Sequence, residues 1–529
     1  MGSALHVLFI YPNTYGMNML PPAIALFSAL LKERGHHVDV FDATYYHTDY
    51  GIDSDGTKMD FLNVAPYDMD GRGIRLRDTD WRSDLATQVE TFQPDLIAIS
   101  STEDMWELGM HILEELRDYK VRNEVPVIAG GVFPTFAPDI ALSNKLVDMV
   151  CVGEGENTII DLCQCIQNGQ SWDKVTNLWI KKDDDSIIKN PVTKPVDINL
   201  LPKIDVELFE DARFYRPMAG KVYRMLPIET MRGCPYTCRF CNSPSQMSMY
   251  KAETNGGFFR KKSVGQVYEE LRFFKDKLNL EYAYFWADTF LAMNQKELEE
   301  FCEMYSDIRL PFWMQTRPET ISHDNIKRLS DVGLHRISFG LEHGNEEFRR
   351  KVLDRRWKNA DIIESLKIPH QYGVQFSVNN ITGFPDETRA LAMDTVEINR
   401  EIRADNANIY SFVPFHGTPL RKVCETKGLI THQTITKCLT NKPVFEMEQY
   451  TVDEIMGLRK CFVLYVAFPK NRWKDIQRAE ADTPEGNKIF AELKQEYMEK
   501  YFSIPQNENN AENPQIADLE YGMEMSSPS

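Results

Sequence analysis

Basic residues are in the minority in this chain, and its apolar runs are short. The 529 residues carry 60 Lys and Arg against 79 Asp and Glu, a formal net charge of −19. A surface that coats nucleic acid needs a basic stripe, so we expect no nucleic acid partner, although a local basic pocket is compatible with this charge. The longest apolar run, around Met19–Leu31, contains two prolines and is too short to cross a bilayer. We therefore expect a cytoplasmic protein without a membrane span.

Cysteine is also scarce, with 10 residues in the whole chain and no secretory signal peptide, so we expect no disulfide scaffold. Three of the ten nevertheless stand together, as Cys234, Cys238 and Cys241 with C-x3-C-x2-C spacing. A triplet this compact can close around one iron–sulfur cluster and leave one iron open to an exogenous ligand. Zinc held with a remote histidine and a chance cluster are the alternatives. Zinc is disfavoured because no second C-x2-C pair follows.

The first part of the chain alternates short apolar runs with amphipathic segments. This alternation through residues 5–167 predicts a doubly wound, parallel, Rossmann-like α/β sheet, which binds ligands beyond the carboxyl ends of its strands. No G-x-G-x-x-G follows the first strand, so a dinucleotide is disfavoured. The polar stretch Thr44–Asp80 has no clear period and is predicted to be an irregular insertion. Candidate ligand-binding residues in the loops at the carboxyl edge are Tyr11, Asn13, Thr14, Ser101, Thr102, Glu103, Gly130, Gly131, Thr135, Gly153, Glu154 and Glu156.

The remaining chain divides by composition and period. Prolines punctuate residues 168–221, which we interpret as a linker between a first domain at 1–167 and a second at 222–425. Strand–helix alternation in the second domain predicts a partial (β/α)6 barrel, whose carboxyl-end loops form the site. Residues 426–503 are predicted to form a small helical cap packed on the barrel mouth. Residues 504–529 are polar, lack Lys and Arg, and are predicted to be a disordered tail.

Several motifs give the chain a family resemblance. The cysteine loop, with Phe240 before its last cysteine, resembles that of radical S-adenosylmethionine (SAM) enzymes. The loops that end in Gly153-Glu154-Gly155-Glu156 look like those of the cobalamin-binding domain in front of many such enzymes. Residues 340–346, 383–388 and 414–420 resemble later radical SAM segments, so the resemblance covers about residues 5–425. It implies a 4Fe–4S cluster on the three cysteines, together with SAM and cobalamin.

The resemblance also suggests residues that contact SAM. Asp288 would hold its amino end, with a helix cap as the alternative. Arg317 would pair with its carboxylate, with a surface ion pair as the alternative. Glu342 ends an apolar strand, where an unpaired acid is costly, and this favours a ligand role. Gly383 would let the adenine lie against the backbone beside Ile381.

The activity implied is methylation of an unactivated carbon by a 5′-deoxyadenosyl radical and methylcobalamin. An external flavodoxin-like or ferredoxin-like reductant would supply electrons. The substrate is a small molecule or a peptide that the sequence does not identify, and no proton-transfer residue is assigned. Alternatives are cyclisation, oxidation or rearrangement without methyl transfer, a radical enzyme without cobalamin, and a cluster-bearing sensor or binding protein. A methylthiotransferase is disfavoured, because the chain has no second three-cysteine loop.

One departure from the better-known cobalamin domains concerns cobalt. The Asp-x-His-x-x-Gly signature that supplies a histidine to the metal is missing. His36 and His37 stand in a helix-to-strand turn, which lies at the opposite edge of a parallel sheet from the expected ligand. His6 precedes the first strand, His111 falls in a predicted helix, and His47 lies in the insertion without a predicted place. We therefore expect cobalt without a protein histidine.

Overall fold

The structure is a computed structural model that describes residues 3–16, 19–48, 50 and 54–501. The predicted disordered tail at 504–529 lies outside these residues. Within them the chain forms two seven-stranded sheets, a two-stranded ladder and the helices around them. None of the described helices is long and apolar enough to cross a membrane.

The first sheet has strand order β2-β1-β3-β4-β5-β6-β7, and β1 to β5 are parallel. Its strands are β1 His6–Tyr11, β2 His37–Asp42, β3 Leu96–Ser100, β4 Val127–Gly130, β5 Met149–Cys151, β6 Leu178–Lys181 and β7 Ile187–Lys189. The helices of this part are α1 Pro22–Lys32, α2 Ser54–Asp60, α3 Trp81–Phe92, α4 Trp106–Glu115, α5 Arg117–Asn123, α6 Val132–Phe136, α7 Pro138–Ser143 and α8 Glu156–Gln167.

Helices cover both faces of this sheet, as the continuous apolar strands require. In β1, Val7 and Phe9 belong to a core shared with α1 and α8, whereas Leu8 and Ile10 belong to a separate core shared with α3 and α4. Side chains of successive strand residues point to opposite faces, so both sets are buried only when helices pack on both sides. The predicted doubly wound sheet is confirmed.

The segment interpreted as a linker is more ordered than its prolines suggest. Strands β6 and β7 form an antiparallel hairpin that extends the first sheet beyond β5. The charged stretch at 181–185 is the turn of this hairpin, in which the Lys182 backbone N–H donates to the Ser186 carbonyl at 2.9 Å. Part of the predicted linker is thus an edge of the first sheet.

The second sheet has strand order β16-β15-β14-β13-β12-β9-β8. Its strands, with the short β10–β11 ladder, are β8 Tyr215–Met218, β9 Lys221–Glu229, β10 Met231–Arg232, β11 Arg260–Lys261, β12 Tyr282–Trp286, β13 Phe312–Thr316, β14 Leu334–Glu342, β15 Gln375–Thr382 and β16 Asn406–Ser411. The helices are α9 Ser243–Thr254, α10 Val264–Leu278, α11 Gln295–Tyr305, α12 His323–Asp331, α13 Glu346–Val352, α14 Asn359–Leu366, α15 Ile368–Gln371, α16 Arg389–Ile402 and α17 Pro419–Thr426. Six of the strands, β9 and β12 to β16, are parallel, so the predicted partial barrel is confirmed.

The carboxy-terminal helices are α18 Val452–Ala467, α19 Trp473–Ala479 and α20 Pro484–Tyr501. Helix α18 packs along α16 and the edge strand β16, and its first turn reaches the end of β15, where Ile455 lies against Gly383. The insertion predicted to be irregular contains α2 and short turns. It reaches this cap, since Leu62 is buried in the cap's apolar core and Asp60 pairs with Lys494 at 3.3 Å.

Candidate functional site

The cysteine loop follows β10, whose two residues pair with β11. Gly233 turns the chain into the loop with φ +84°, and a Cβ there would lie 2.7 Å from the Phe258 ring. Ser243, at the start of α9, accepts a hydrogen bond from the Cys234 backbone N–H at 3.1 Å and donates its own N–H to Cys241 Sγ at 3.4 Å. The loop is therefore held from both ends.

The three thiols share one electrostatic environment. Arg317 Nη1 donates to Cys238 Sγ at 3.0 Å. Burial raises the pKa of Cys234, and it raises the pKa of Cys241 to about 12. Both side chains would thus be protonated without metal, and iron has to supply the positive charge that stabilises the thiolates.

Among the described residues, no three His, Cys, Asp or Glu side chains are arranged around a single metal ion. In a 4Fe–4S cluster the cysteines bind different irons, so a cluster does not require them to converge on one point. The three sulfurs nevertheless interact electrostatically with one another. The loop therefore fits a cluster with three protein ligands.

Asp288 follows β12 and lies beside the cluster loop. Its carboxyl group faces a cavity, and burial together with the charge of Glu229 raises its pKa. No hydrogen bond or ion pair from another described residue reaches this carboxyl group. A group in this position can accept hydrogen bonds from a bound cofactor.

Arg317 and Glu342 lie near the same loop but already have partners. Arg317 pairs with Glu319 and lies 3.8 Å over the Tyr236 ring. Glu342, expected to be unpaired, accepts a hydrogen bond from Arg355 at 2.8 Å, and burial raises its pKa. The premise that Glu342 lacks a partner is wrong, because Arg355, which follows the strand that ends in Glu342, supplies a positive charge. Its contact with SAM stays a prediction.

Three other predicted residues pack toward the carboxy-terminal helices. Phe240 and Ile381 are partly buried against the apolar core of the cap. Gly383 has φ +88°, and a Cβ there would meet Ile455 at 3.1 Å. Their predicted contacts with SAM stay untested.

One cavity of about 460 Å³ joins the edge of the first sheet to the cluster loop. Its wall includes Gly130, Gly131, Thr135, Gly153, Glu154 and Glu156 from the first sheet and Cys241, Trp286 and Asp288 from the barrel. An apolar arm runs along the strands between Phe9, Ala98 and Ile128 and helix α1. Glycine backbone at the rim and an apolar arm beneath it fit a large amphipathic cofactor such as cobalamin.

The glycines at this edge are required by close packing. Gly131 has φ +111°, and a Cβ there would lie 2.4 Å from the Ser101 carbonyl oxygen. Gly153 has φ +94°, its N–H donates to Thr135 Oγ1 at 3.1 Å, and a Cβ there would lie 2.6 Å from the Tyr250 hydroxyl. The stretch 130–135, predicted as a loop, is partly helix α6.

Helix α9 connects the cluster loop to the first sheet and was not predicted. Its Tyr250 hydroxyl accepts a hydrogen bond from the Glu154 N–H at 2.7 Å, and its ring stacks on Phe258. The helix has no apolar stripe because it lies between two domains, and a mixed set of residues faces the cavity: Ser243, Gln246, Met249 and Tyr250. The one feature of the sequence that could have indicated this helix is Pro244, because proline is favoured in the first turn of a helix.

Glu154 and Glu156, predicted as ligands, also join the two domains, and their contact with cobalamin stays a prediction. Glu154 and Glu156 accept hydrogen bonds from Arg232 Nη1 at 3.0 and 2.6 Å, and Glu154 also pairs with Arg260. Arg232 also pairs with Glu229 and directly precedes Gly233 of the cluster loop. The side chains of Glu154 and Glu156 are only 10% and 6% exposed, so the network is nearly dry. It fixes the sheet edge relative to the cluster.

Glu103 forms a second link. It accepts hydrogen bonds from the backbone N–H groups of His416 and Thr436 at 2.7 and 2.9 Å, and His416 Nδ1 lies 2.9 Å from its carboxylate. Burial alone would raise the pKa of Glu103, but hydrogen bonds and Coulomb attraction from His416 lower it. The carboxylate is occupied by the barrel and does not line the cavity.

Five further predicted residues lie away from the cavity wall: Tyr11, Asn13, Thr14, Ser101 and Thr102. Arg213, from the predicted linker, occupies the end of β1. It pairs with Asp42 at 3.2 Å and donates to Thr44 Oγ1, as Asn13 also does. Ser101 and Thr102 bond within their own turn. Sequence reasoning missed Arg213, which stands about 170 residues from its partners.

The cavity wall contains no histidine among the described residues. The Leu5 N–H donates to His36 Nδ1 at the opposite edge of the sheet, and His111 packs on Tyr50. The His6 ring packs in tilted orientation against the rings of His37 and Phe92, while His47 is exposed. The expectation of cobalt without a protein histidine stays a prediction.

Comparison with known proteins adds to this geometry. The B12 binding domain model matches residues 67–162, and the Radical SAM superfamily model matches residues 228–398. An uncharacterized methyltransferase of Pyrococcus horikoshii is 24% identical over 401 residues, which cover 74% of this chain and 83% of the relative. The anaerobic magnesium-protoporphyrin IX monomethyl ester cyclase of Rubrivivax gelatinosus is 20% identical over 426 residues, 78% of this chain and 68% of the relative.

A similar solved structure is that of the radical S-adenosylmethionine methyltransferase TsrM from Kitasatospora setae, with cobalamin and a 4Fe–4S cluster bound. It aligns with a TM-score of 0.60 and 15% identity, and the alignment covers 81% of this chain and 79% of that chain. At this identity the likeness shows a shared fold.

Proposed function

This chain belongs to the cobalamin-dependent radical SAM enzymes, and on that premise we propose that it methylates an unactivated carbon of a small-molecule or peptide substrate. The observation that carries the proposal is one continuous cavity, which reaches Cys241 and Asp288 at one end and Gly130 and Gly153 at the other. A carbon activated near the cluster can receive a group presented at the sheet edge only if both ends share one space.

When bound, the cluster with SAM supplies a 5′-deoxyadenosyl radical, and cobalamin supplies the methyl group. The protein binds and orients these groups. Three cysteines of one loop hold the cluster, and the Arg317 guanidinium stabilises negative charge on the Cys238 sulfur. Asp288 offers acceptor oxygens beside the cluster, and the apolar arm along Phe9 and Ile128 excludes water. A cytoplasmic setting, where low-potential electron carriers are available, is part of this proposal.

A second candidate is ring formation without methyl transfer. One specific observation favours it, namely the similarity to the cyclase of Rubrivivax gelatinosus over 78% of this chain. The two activities would use the same cavity and differ only in the fate of the substrate carbon. They are therefore separated by product analysis.

The test uses the full chain, reconstituted anaerobically with iron, sulfide and cobalamin. The protein is incubated with a reductant, SAM labelled in its methyl group, and a fractionated small-molecule and peptide extract of the host. We expect one product that gains a labelled methyl, together with 5′-deoxyadenosine and S-adenosylhomocysteine. The Cys241→Ala protein is the matched control and should form none of them.

Two results would overturn the proposal. A product that forms without label would indicate cyclisation, oxidation or rearrangement. A reduced, cluster-loaded protein that leaves SAM intact in every fraction would indicate a sensor or binding protein.

A further inference from the structure

The outer side of the cluster loop faces solvent. Pro235 and Thr237 are exposed, whereas Cys238 and Cys241 are half-buried and Cys241 lines the cavity. One segment, residues 349–358, packs beside this outer side. Thr237 Oγ1 donates to Asp354 at 2.6 Å, and the Arg239 N–H donates to the Leu353 carbonyl at 3.2 Å. A molecule bound to this segment would touch the cluster loop itself.

The segment is strongly basic in an acidic protein. Its ten residues contain six Arg and Lys and one Asp, whereas the whole chain carries a net charge of −19. We call its exposed part the basic face, which consists of Arg350, Lys351, Arg356, Trp357 and Lys358. The side chain of Arg356 is 78% exposed, and Trp357 is 40% exposed. Exposed cations therefore flank the exposed aromatic ring of Trp357 in sequence.

Two other arginines of the segment are buried and hold it in place. Arg349, 1% exposed, donates to the carbonyl oxygens of His343 and Trp357 at 2.8 and 2.7 Å. Arg355 pairs with Glu342 at 2.8 Å. The basic face is thus presented on a rigid support.

Nearby carboxylates neutralise only part of the basic face. Glu347 pairs with Lys351, and Asp354 pairs with Arg356 at 3.1 Å. Glu346 accepts a hydrogen bond from the Asn359 N–H. Neither Arg350 nor Lys358 forms an ion pair or a side-chain hydrogen bond with the described residues. Net positive charge therefore remains at the cluster loop.

We propose that the basic face docks an acidic one-electron carrier protein of the flavodoxin type, which reduces the cluster. The inference rests on the cluster being held by the cysteine loop and does not depend on methyl transfer. In the step, the flavin hydroquinone loses one electron and the oxidised cluster gains it, and no atom is transferred. Carboxylates of the carrier meet the arginines and lysines, which speeds encounter. Trp357 offers an apolar ring to the flat edge of an exposed flavin.

The experiment compares two charge reversals of equal size. Arg350→Glu/Arg356→Glu/Lys358→Glu alters the basic face, whereas Lys145→Glu/Lys174→Glu/Lys194→Glu alters exposed lysines of the first domain and of the segment that follows it. Cluster reduction is followed anaerobically by stopped-flow absorbance, with reduced flavodoxin or with dithionite. Neither substrate nor methyl transfer is needed, so failure of the proposed function would leave this result intact.

We expect the basic-face variant to be reduced by flavodoxin at least about tenfold more slowly than wild type, since electrostatic steering raises association rates about 10- to 1000-fold. The control variant should stay within about threefold, because it leaves the charges of the basic face, which steer the carrier, unchanged. Dithionite, which is a small anion, should show a much smaller difference between the proteins than flavodoxin does. Raising ionic strength should slow wild type with flavodoxin but hardly affect the basic-face variant.

A neutral variant, Arg350→Gln/Arg356→Gln/Lys358→Gln, keeps the test valid if charge reversal disturbs folding, and it should show an intermediate rate. Equal flavodoxin rates in the basic-face and control variants would overturn the proposal. So would a wild-type flavodoxin rate that does not depend on salt. A loss of rate seen with reduced ferredoxin but not with flavodoxin would overturn the choice of carrier.

Discussion

The contact between Gly153 and Tyr250 gives a quantitative test of how the two domains fit together. A Cβ added at Gly153 would lie 2.6 Å from the Tyr250 hydroxyl, on a backbone with φ +94°. The left-handed backbone costs an alanine about 1–2 kcal/mol, and overpacking adds about 1–3 kcal/mol. We therefore expect Gly153→Ala to lower the free energy of unfolding by about 2–5 kcal/mol.

Tyr250→Phe separates the two contributions. It removes the clashing oxygen, so the nearest ring atom to the added Cβ becomes Cζ at 3.3 Å. It also removes the acceptor of the Glu154 N–H, which costs about 1–3 kcal/mol. The double variant keeps the backbone strain and loses the hydrogen bond but has no clash. It should therefore be less destabilised than the sum of the single variants by about 1–3 kcal/mol, the overpacking contribution.

Gly169→Ala is the matched control. Gly169 also has a positive φ, +62°, but nothing lies within 4 Å of a Cβ there. Its combination with Tyr250→Phe should be additive within about 0.5 kcal/mol. Urea unfolding of all six proteins, wild type included, gives the free energies. If the losses in unfolding free energy caused by Gly153→Ala and Tyr250→Phe added as well as those of the control pair, the inferred close approach of α9 to the first sheet would be refuted.

Other perturbations have equally definite outcomes. The triple Cys→Ala variant of the cluster loop should lose its cluster, and iron and sulfide analysis at wild-type levels would refute the ligand assignment. Arg317→Ala should make cluster reduction less favourable in potentiometric titration, because a cation 3.0 Å from Cys238 Sγ stabilises the more negative reduced state. The pKa of Glu103 is lowered in the folded protein, so this carboxylate stabilises the fold fully above its ordinary pKa of 4.5 and loses that contribution as the pH falls through the lowered pKa. Glu103→Gln should therefore remove this contribution to the pH dependence of the thermal unfolding temperature. Electron paramagnetic resonance of the cob(II)alamin form should show no nitrogen splitting from a protein imidazole, and such a splitting lost in His47→Ala would contradict the expectation.

The fold was predictable because its strands are short apolar runs in regular alternation with helices. Val7–Ile10 and Leu96–Ile99 are buried on both faces, and this pattern is typical of a central parallel strand. The short strand β7 was missed, since its residues are charged or half exposed and it pairs only at the edge of the sheet. Helix α9 was missed because packing against two domains removes the apolar stripe that marks a helix.

The site was predictable where its chemistry is local in sequence. The spacing of three cysteines within one loop indicates a cluster site, and glycines at the ends of predicted strands indicate the carboxyl edge of the sheet. The acids were different, because the role of a carboxylate depends on which cation reaches it. Glu154 meets Arg232 and Arg260, some 80 and 106 residues later, and Glu103 meets His416 from the far side of the barrel. Such pairings follow from tertiary packing, which the order of residues does not reveal.

The buried network of Arg232 with Glu154 and Glu156 limits how this enzyme can be re-engineered. Removing one partner of a buried ion pair leaves an uncompensated charge and typically costs about 3–5 kcal/mol. A chimera that takes its first domain from a relative would therefore need matching acids at the sheet edge, and also a backbone N–H placed to donate to the Tyr250 hydroxyl of α9. The two domains therefore have to evolve together: a change in the acids of the first domain requires a compensating change in the arginines of the second.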